Sequence, residues 1–176
     1  VGLIREPLAA VRRLLHGSDR RIDLGAIHCW REGREVTEYF PNAAGLGFDG
    51  EVADRVNRMS KAGGGTIPYL IGLVTTLITY ENKPVVVTLD DRTLELRANA
   101  IIAANGRYFG GGMQIAPDAQ PDDGLLDVII IGDTTKLEFL LQVPRVYKGT
   151  HLQHPKVNAY RSRTVHVAVS YTHLRA

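Results

Sequence analysis

The stretch that most constrains this chain is residues 105–128, which follow one apolar run, lead into another, and concentrate glycine, aspartate and proline. Three consecutive glycines, Gly110 to Gly112, permit backbone conformations closed to other residues and let another group approach the main chain closely. Asp122, Asp123 and Gly124 then offer two carboxylates at a turn, directly before the apolar run LLDVIII. Such a turn can hold a hard cation, but Asp-Asp-Gly also makes an ordinary turn, so both interpretations stay open.

Length and composition indicate one well-buried domain. The chain has 176 residues, of which 44% are hydrophobic and 23% charged, as in soluble globular proteins. The formal net charge of +2 is too small to predict a nucleic-acid partner, although the first forty residues are locally basic. That local charge comes from Arg12, Arg13, Arg20, Arg21, Arg31 and Arg34.

Cysteine usage and apolar segments bear on the cellular compartment. The single cysteine, Cys29, cannot form an intramolecular disulfide, and the N-terminus lacks the layout of a signal peptide, so we expect a cytoplasmic protein. The most apolar helical candidate, Ile67 to Tyr80, has about fourteen residues, fewer than a bilayer-spanning helix needs.

Hydrophobic periodicity predicts mostly strands with about four helices. Helices are expected from Pro7 to near Gly17, after Gly50, at 67–80, and from Thr135, where Thr135 and Glu138 form a capping-box signature and Pro144 kinks or ends the helix. Strands are expected at 22–24, in a hairpin turning at Gly33, and at 42–47, 85–89, 94–104, 128–131 and 164–169, with 151–159 irregular. Short turns between consecutive strands favour an α+β, mostly β fold: an antiparallel two-layer β-sandwich-like domain.

Other candidate sites have ordinary structural alternatives. Gly45, Gly47 and Gly50 match a dinucleotide-binding spacing, but acidic Asp49 and Glu51 stand where an anion would approach, so tight strand-to-helix packing is preferred. His151 and His154 could share a metal, yet no third ligand stands at suitable spacing, which favours a surface loop. Cys29 has no evident base nearby and is expected to be a buried small residue.

The segments NAAGLGFDGEV, IIAANG and FGGGMQIAPDAQPDDGLLDVIII together resemble the bacterial diacylglycerol kinase and related lipid kinase family over roughly residues 20 to 168. The resemblance implies a two-domain kinase that transfers the γ-phosphate of ATP to a lipid hydroxyl, with Mg²⁺ and a carboxylate base. It implies ATP and a membrane lipid as partners, a peripheral position at the membrane, and leaves a homodimer open.

The same resemblance assigns roles to a few residues. It places a structural Mg²⁺ site on the carboxylate of Asp123, with the main-chain oxygens of Gln120 and Leu125 as companions. It also places Asn105 and Gly110, Gly111 and Gly112 at the interdomain cleft, where the cofactor ATP would lie.

The GGDGT-type nucleotide loop is absent from the sequence, and the DGE motif that carries the base does not follow the last strand, where the resemblance would place it. No catalytic residue is therefore assigned. We expect residues 1–24 to be the end of an N-terminal nucleotide-binding domain, residues 25–169 the C-terminal β-sandwich domain, and residues 170–176 a non-native or truncated tail. The chain alone is expected to be inactive, and a stand-alone β-rich module that binds lipid or an acidic ligand is the alternative.

Overall fold

A four-stranded antiparallel sheet is the central layer of the computed structural model, which describes residues 7–58 and 75–169. The helices are α1 Pro7–His16, α2 Phe48–Arg58, α3 at residues 75–79 and α4 Lys136–Tyr147, with a 3₁₀ turn at His151–Gln153. The strands are β1 Gly25–Arg31, β2 Arg34–Phe40, β3 Ala43–Gly47, β4 Lys83–Thr88, β5 Thr93–Ala98, β6 Ala100–Ala104, β7 Leu126–Ile131, β8 Val157–Ser162 and β9 His166–Val169.

The strands form three sheets. The central sheet has the order β3-β6-β7-β8, a second sheet has the order β5-β4-β9, and β1 pairs with β2 alone. Every paired strand runs antiparallel to its neighbour. The predicted antiparallel, sandwich-like, mostly β architecture with four helices in the described ranges is confirmed.

The central sheet is buried on both faces. Along β6 and β7, Ile102 and Ile129 point into a cluster with the helices, whereas Ile101 and Val128 point into a cluster with the second sheet. Successive strand residues alternate between faces, so a strand covered on both sides must be apolar at nearly every position. This explains the continuous apolar runs on either side of residues 105–125.

The predicted single strand at 94–104 is wrong in one respect: it divides at Asn99 into β5 and β6, which belong to different sheets. The Asn99 amide donates to the carbonyls of Ile131 and Gly132, and its own carbonyl accepts the Phe48 amide at 2.9 Å. These long-range bonds hold the crossing between the two sheets, and periodicity cannot anticipate them.

Three smaller expectations also need correction. Residues 22–24 are not a strand, since β1 begins at Gly25. The capping box of α4 is present as predicted, and of the two alternatives for Pro144, an end of the helix is wrong, because the helix continues to Tyr147. Residues 151–159 are not irregular throughout, because they contain the 3₁₀ turn and the first part of β8.

The expected helix from Pro7 and the hairpin turning at Gly33 are both confirmed. The greater part of the helix expected at 67–80 and the tail at 170–176 lie outside the described residues.

Candidate functional site

The connection between β6 and β7 is a packed loop. Ile115, Ala116 and Ala119 lie in the core cluster beneath the helices. The Arg107 Nε–H donates to the Ala119 carbonyl at 2.9 Å, and the Ala116 amide donates to the Arg107 carbonyl at 3.3 Å. The buried residues anchor the middle of the connection, which leaves its two ends, the glycine turn and the aspartate turn, at the surface.

The triple glycine forms a tight reversal at that surface. Phe109 and Met113 pair as an isolated bridge, with the amide of each donating to the carbonyl of the other at 3.0 Å. Gly110, Gly111 and Gly112 between them all have positive φ, of 49°, 79° and 99°. Three such residues in a row are strained for any side chain, so the turn requires glycine. A Cβ at Gly111 or Gly112 would meet no atom within 4 Å, so open space adjoins the turn.

Asn105 ties the end of β6 to the β1–β2 hairpin. Its side chain is 1% exposed, and Nδ2 donates to the carbonyls of Asp23 at 2.9 Å and Pro41 at 3.0 Å. Those two residues lie at the start and end of the hairpin, so one amide group holds both. The Oδ1 atom is buried and has no partner among the described residues.

Asp123 is the best-connected residue of the aspartate turn. Its Oδ1 accepts the Leu125 amide at 3.0 Å, and its Oδ2 is paired with the guanidinium of Arg161 on β8. Its side chain is 20% exposed. The neighbouring groups bind the segment before β1: Asp122 Oδ2 pairs with Arg20 at 2.6 Å, and the Gly124 amide donates to Asp23 Oδ2 at 2.7 Å.

Asp127, inside the apolar run of β7, adds a second carboxyl group close to Asp123. It lies directly opposite Arg161 in the register of β7 and β8 and is 7% exposed, with Oδ2 buried and unpartnered within the described residues. Burial raises the pKa of Asp127; Arg161 lowers it, and the charges of Asp123 and Asp118 raise it again. Arg161 therefore faces two carboxyl groups, those of Asp123 and Asp127, and pairs directly with the first.

The residues around Asp123 could hold a hard cation only through a single carboxylate. Within residues 7–58 and 75–169, no three acidic, histidine or cysteine side chains converge closely enough to share a metal. The fit needs one carboxylate, that of Asp123, with carbonyl oxygens and water. The main-chain oxygens of Gln120 and Leu125 suit this, because no described residue donates a hydrogen bond to either. Arg161 and a cation would compete for Asp123 Oδ2.

An open groove runs beside the aspartate turn. It has a volume of about 670 Å³ and lies between the β1–β2 hairpin, strands β3 and β6, and the start of β9. Asn105 and Leu125 line it together with the apolar side chains of Leu24, Ile27, Leu46, Ile101 and Val165 and the polar side chains of Arg163 and His166. The groove is large enough and apolar enough to accept part of a small ligand.

A family model described as the YegS C-terminal NAD kinase beta sandwich-like domain matches residues 42–175. The chain belongs to this family. The match contains β3 and residues 105–128, the segments in which the sequence resembles lipid kinases, and the resemblance is thereby confirmed.

Relatives of this YegS-type domain carry kinase names. A diacylglycerol kinase of Mycobacterium tuberculosis is 33% identical over 165 residues, which are 93% of this chain and 52% of that protein. A probable lipid kinase YegS-like protein of Chromohalobacter salexigens is 30% identical over 145 residues, covering 81% of this chain and 43% of the relative. The chain spans about half the length of the relatives it matches.

The crystal structure of a diacylglycerol kinase from Bacillus anthracis has the same fold. It superposes with a TM-score of 0.62 at 22% sequence identity, over 96% of this chain and 52% of that one. Identity at this level establishes the fold alone.

The glycines that precede α2 in this YegS-type domain serve packing. The Phe48 amide at the start of α2 already donates to Asn99, and a Cβ on Gly45 would lie 2.2 Å from Asp49 Oδ2. Burial raises the pKa of that carboxyl group. A bound phosphate would meet an occupied amide and a carboxylate, so the structure agrees with tight strand-to-helix packing over dinucleotide binding.

The expectation that His151 and His154 lie in a surface loop is wrong for His151. This side chain is 1% exposed, and Nε2–H donates to the Ile115 carbonyl at 3.0 Å beneath the β6–β7 connection. His154 Nδ1 instead accepts the Lys156 amide at 3.2 Å, so the two rings serve different partners. Cys29 is half-buried, not fully buried as expected.

The sequence interpretation missed Asp23, Asp127 and Arg161. Asp127 could have been found from the sequence. A carboxylate inside an otherwise apolar strand is costly to bury unless a neighbouring group compensates it. Arg161 could not have been found in this way, because it lies 38 residues from Asp123 and only the β7–β8 pairing brings the two together.

Acid should weaken the YegS-type domain through His151. Burial lowers the pKa of its imidazole, although the bond to Ile115 partly opposes this shift. Below about pH 6.5 the unfolded chain takes up the proton first, so the stability that His151 contributes is present above that pH and is lost as pH falls toward its folded pKa. Urea midpoints of wild type and His151→Gln at pH 7.5 and 5.5 should therefore converge in acid. A difference that is the same at both pH values would contradict this assignment.

Proposed function

We propose that this chain is the second half of an ATP-dependent lipid kinase, which transfers the γ-phosphate of ATP to a hydroxyl of a diacylglycerol-like lipid. The observation that carries the proposal is the 33% identity to a diacylglycerol kinase over 93% of the chain. The other half would supply the nucleotide loop, since GGDGT-type residues are absent from the sequence. The base would also lie outside the chain, which alone is inactive.

Within this proposal, the glycine turn and Asn105 face the cleft where ATP would lie. Two features support that placement. Gly111 and Gly112 present bare main chain to open space, which permits close approach by a phosphate. The Gly112 amide donates to the Phe109 carbonyl at 3.2 Å, whereas the Gly111 amide has no acceptor among the described residues. Asn105 lines the groove and has a buried oxygen with no partner among the described residues.

Mg²⁺ would be held by the Asp123 carboxylate and the main-chain oxygens of Gln120 and Leu125. When bound, the ion would add positive charge beside Asp118 and Asp127, and it would order the turn that leads into β7. Arg161 would supply the compensating charge when the cation is absent.

The parent protein would act in the cytoplasm, at the membrane surface, because its lipid acceptor lies in a bilayer. None of the helices in the described ranges is long and apolar enough to cross a bilayer.

The direct test compares this chain with the protein translated from the complete reading frame. Each is incubated with radiolabelled ATP and diacylglycerol in mixed micelles, and the labelled lipid is separated and counted. We expect transfer by the complete protein and none by residues 1–176. Transfer by the chain alone would contradict its inactivity, and no transfer by the complete protein to any lipid hydroxyl would contradict the proposal.

The metal site makes a separate prediction about Asp123→Ala. At a Mg²⁺ concentration of about one hundred times Kd, binding to the folded chain should add about 2.7 kcal/mol. For a domain of this size that corresponds to a rise of about 5–10 °C in Tm. The rise should vanish in Asp123→Ala and persist in Asp122→Ala, which removes only the exposed pair with Arg20. Equal rises in both variants would exclude Asp123 as the ligand.

The groove of about 670 Å³ favours a second candidate, a lipid-binding module without kinase activity. In that case the complete reading frame would show no ATP-dependent transfer, and calorimetry would detect a short-chain diacylglycerol binding to the chain alone. Substitution of the half-buried Ile27 by Asp in the groove should abolish that binding.

A further inference from the structure

Helix α4 carries an apolar surface that the fold does not use. Leu137, Leu140 and Leu141 are 66%, 50% and 62% exposed, and Pro144 and Tyr147 continue the same exposed stripe. These positions recur every three or four residues and therefore share one side of the helix. An exposed apolar stripe of this kind indicates an interaction surface.

The opposite side of α4 packs against the core. Phe139 packs against Phe48 with ring centroids 4.7 Å apart, and Val146 packs against the core cluster below the central sheet. A helix that is apolar on both sides is normally buried on both. The outer stripe therefore lacks a partner in the described part of the chain.

The charges around the stripe are positive. Lys136 stands at the start of the helix, and Arg145 and Lys148 are exposed at its end. The helix has a single acidic residue, Glu138, which is neutralised by Lys156 Nζ at 2.7 Å and is engaged in the capping box. Asp133 before the helix lies 3.8 Å from Arg97 Nε and accepts a hydrogen bond from the Asn82 side-chain amide at 2.7 Å. The stripe is thus apolar with a basic rim.

We infer that α4 is a docking surface for an anionic lipid bilayer, with the leucines entering the headgroup region and the basic side chains meeting lipid phosphates. An amphipathic helix at an interface combines these two features. A second copy of the chain fits less well, because a two-fold contact through α4 would bring two basic rims together. The inference deepens the proposed function, which sets the protein at the membrane surface, by naming the helix that meets the bilayer. Its test measures binding and not phosphate transfer, so it can fail while the kinase proposal stands.

The test is co-sedimentation of the chain with vesicles of phosphatidylcholine containing about one third phosphatidylglycerol. Leu137→Gln, Leu140→Gln and Leu141→Gln together should weaken binding at least about tenfold, because each replaces an apolar group that would enter the bilayer. Arg145→Gln with Lys148→Gln should weaken it about 25-fold on these vesicles, near fivefold for each charge, and should have little effect on pure phosphatidylcholine vesicles.

The matched control is Trp30→Gln with Tyr39→Gln, which removes two exposed aromatic side chains from the β1–β2 hairpin and should leave binding unchanged. Urea midpoints of all variants should match wild type, because every altered side chain is exposed. Unchanged binding of the leucine variant, or equal loss in the hairpin variant, would overturn the inference. So would a wild-type dimer that the leucine substitutions convert to a monomer, because α4 would then be a contact between copies.

Discussion

Gly47→Ala should destabilise the fold by about 3–5 kcal/mol, a large part of the total stability of a domain this size. Gly47 ends β3 with a φ of 99°, where an L side chain is strained. An added Cβ would lie 2.6 Å from the Asn99 carbonyl oxygen and 3.0 Å from the Tyr80 hydroxyl. The first of these is backbone at the crossing between two sheets and cannot move without breaking its bond to the Phe48 amide.

Thermal and urea unfolding would measure this loss, with Gly33→Ala as the control. Gly33 also has positive φ, of 75°, but a Cβ there meets no atom within 4 Å. Its substitution reports the backbone cost alone, of about 1 kcal/mol. If both variants unfold at the same urea concentration, the close approach at Gly47 has no energetic weight and the strand-to-helix turn is looser than the distances indicate.

Asn105→Ala should cost about 2–4 kcal/mol and loosen the β1–β2 hairpin. The substitution leaves the carbonyls of Asp23 and Pro41 without a donor, and each unsatisfied group carries a penalty of about 1–3 kcal/mol. The hairpin forms a separate two-stranded sheet, so these bonds matter more to it than to the strands of the sandwich.

Hydrogen exchange would separate this local effect from general instability. Residues 23–41 should exchange faster in Asn105→Ala, while amides of β4 change less. Asn42→Ala is the control, because its Nδ2 makes one bond, to the Tyr108 carbonyl at 2.9 Å, at an exposed site. An equal increase in exchange across the whole domain would mean that Asn105 supports overall stability and not the hairpin in particular.

Local patterns accounted for most of the elements. The capping box at Thr135 and Glu138 and the hairpin turn at Gly33 each depend on residues close in sequence, and both are present. The division of the strand at Asn99 depends on carbonyls more than thirty residues away, so no local pattern contains it.

The candidate site was predictable to a similar extent. Its turns are visible as Gly110 to Gly112 and Asp122 to Gly124, because glycine and aspartate have conformational preferences that act within a few residues. The outer stripe of α4 was not predictable. Leu137, Leu140 and Leu141 have the spacing of residues that face a core, yet Phe139 and Val146 pack against the core and the leucines are exposed.

The sequence by itself determined the antiparallel β class, the family and the position of the two surface turns, since alternation, turn chemistry and motif order are properties of neighbouring residues. Only the tertiary structure decided what each turn contacts. Strand pairing sets Arg161 opposite Asp127 and against Asp123, and the packing of the β6–β7 connection buries His151. Charge compensation and burial depend on groups brought together by long-range pairing, and for that reason the environment of Asp123 could be described only in the folded chain.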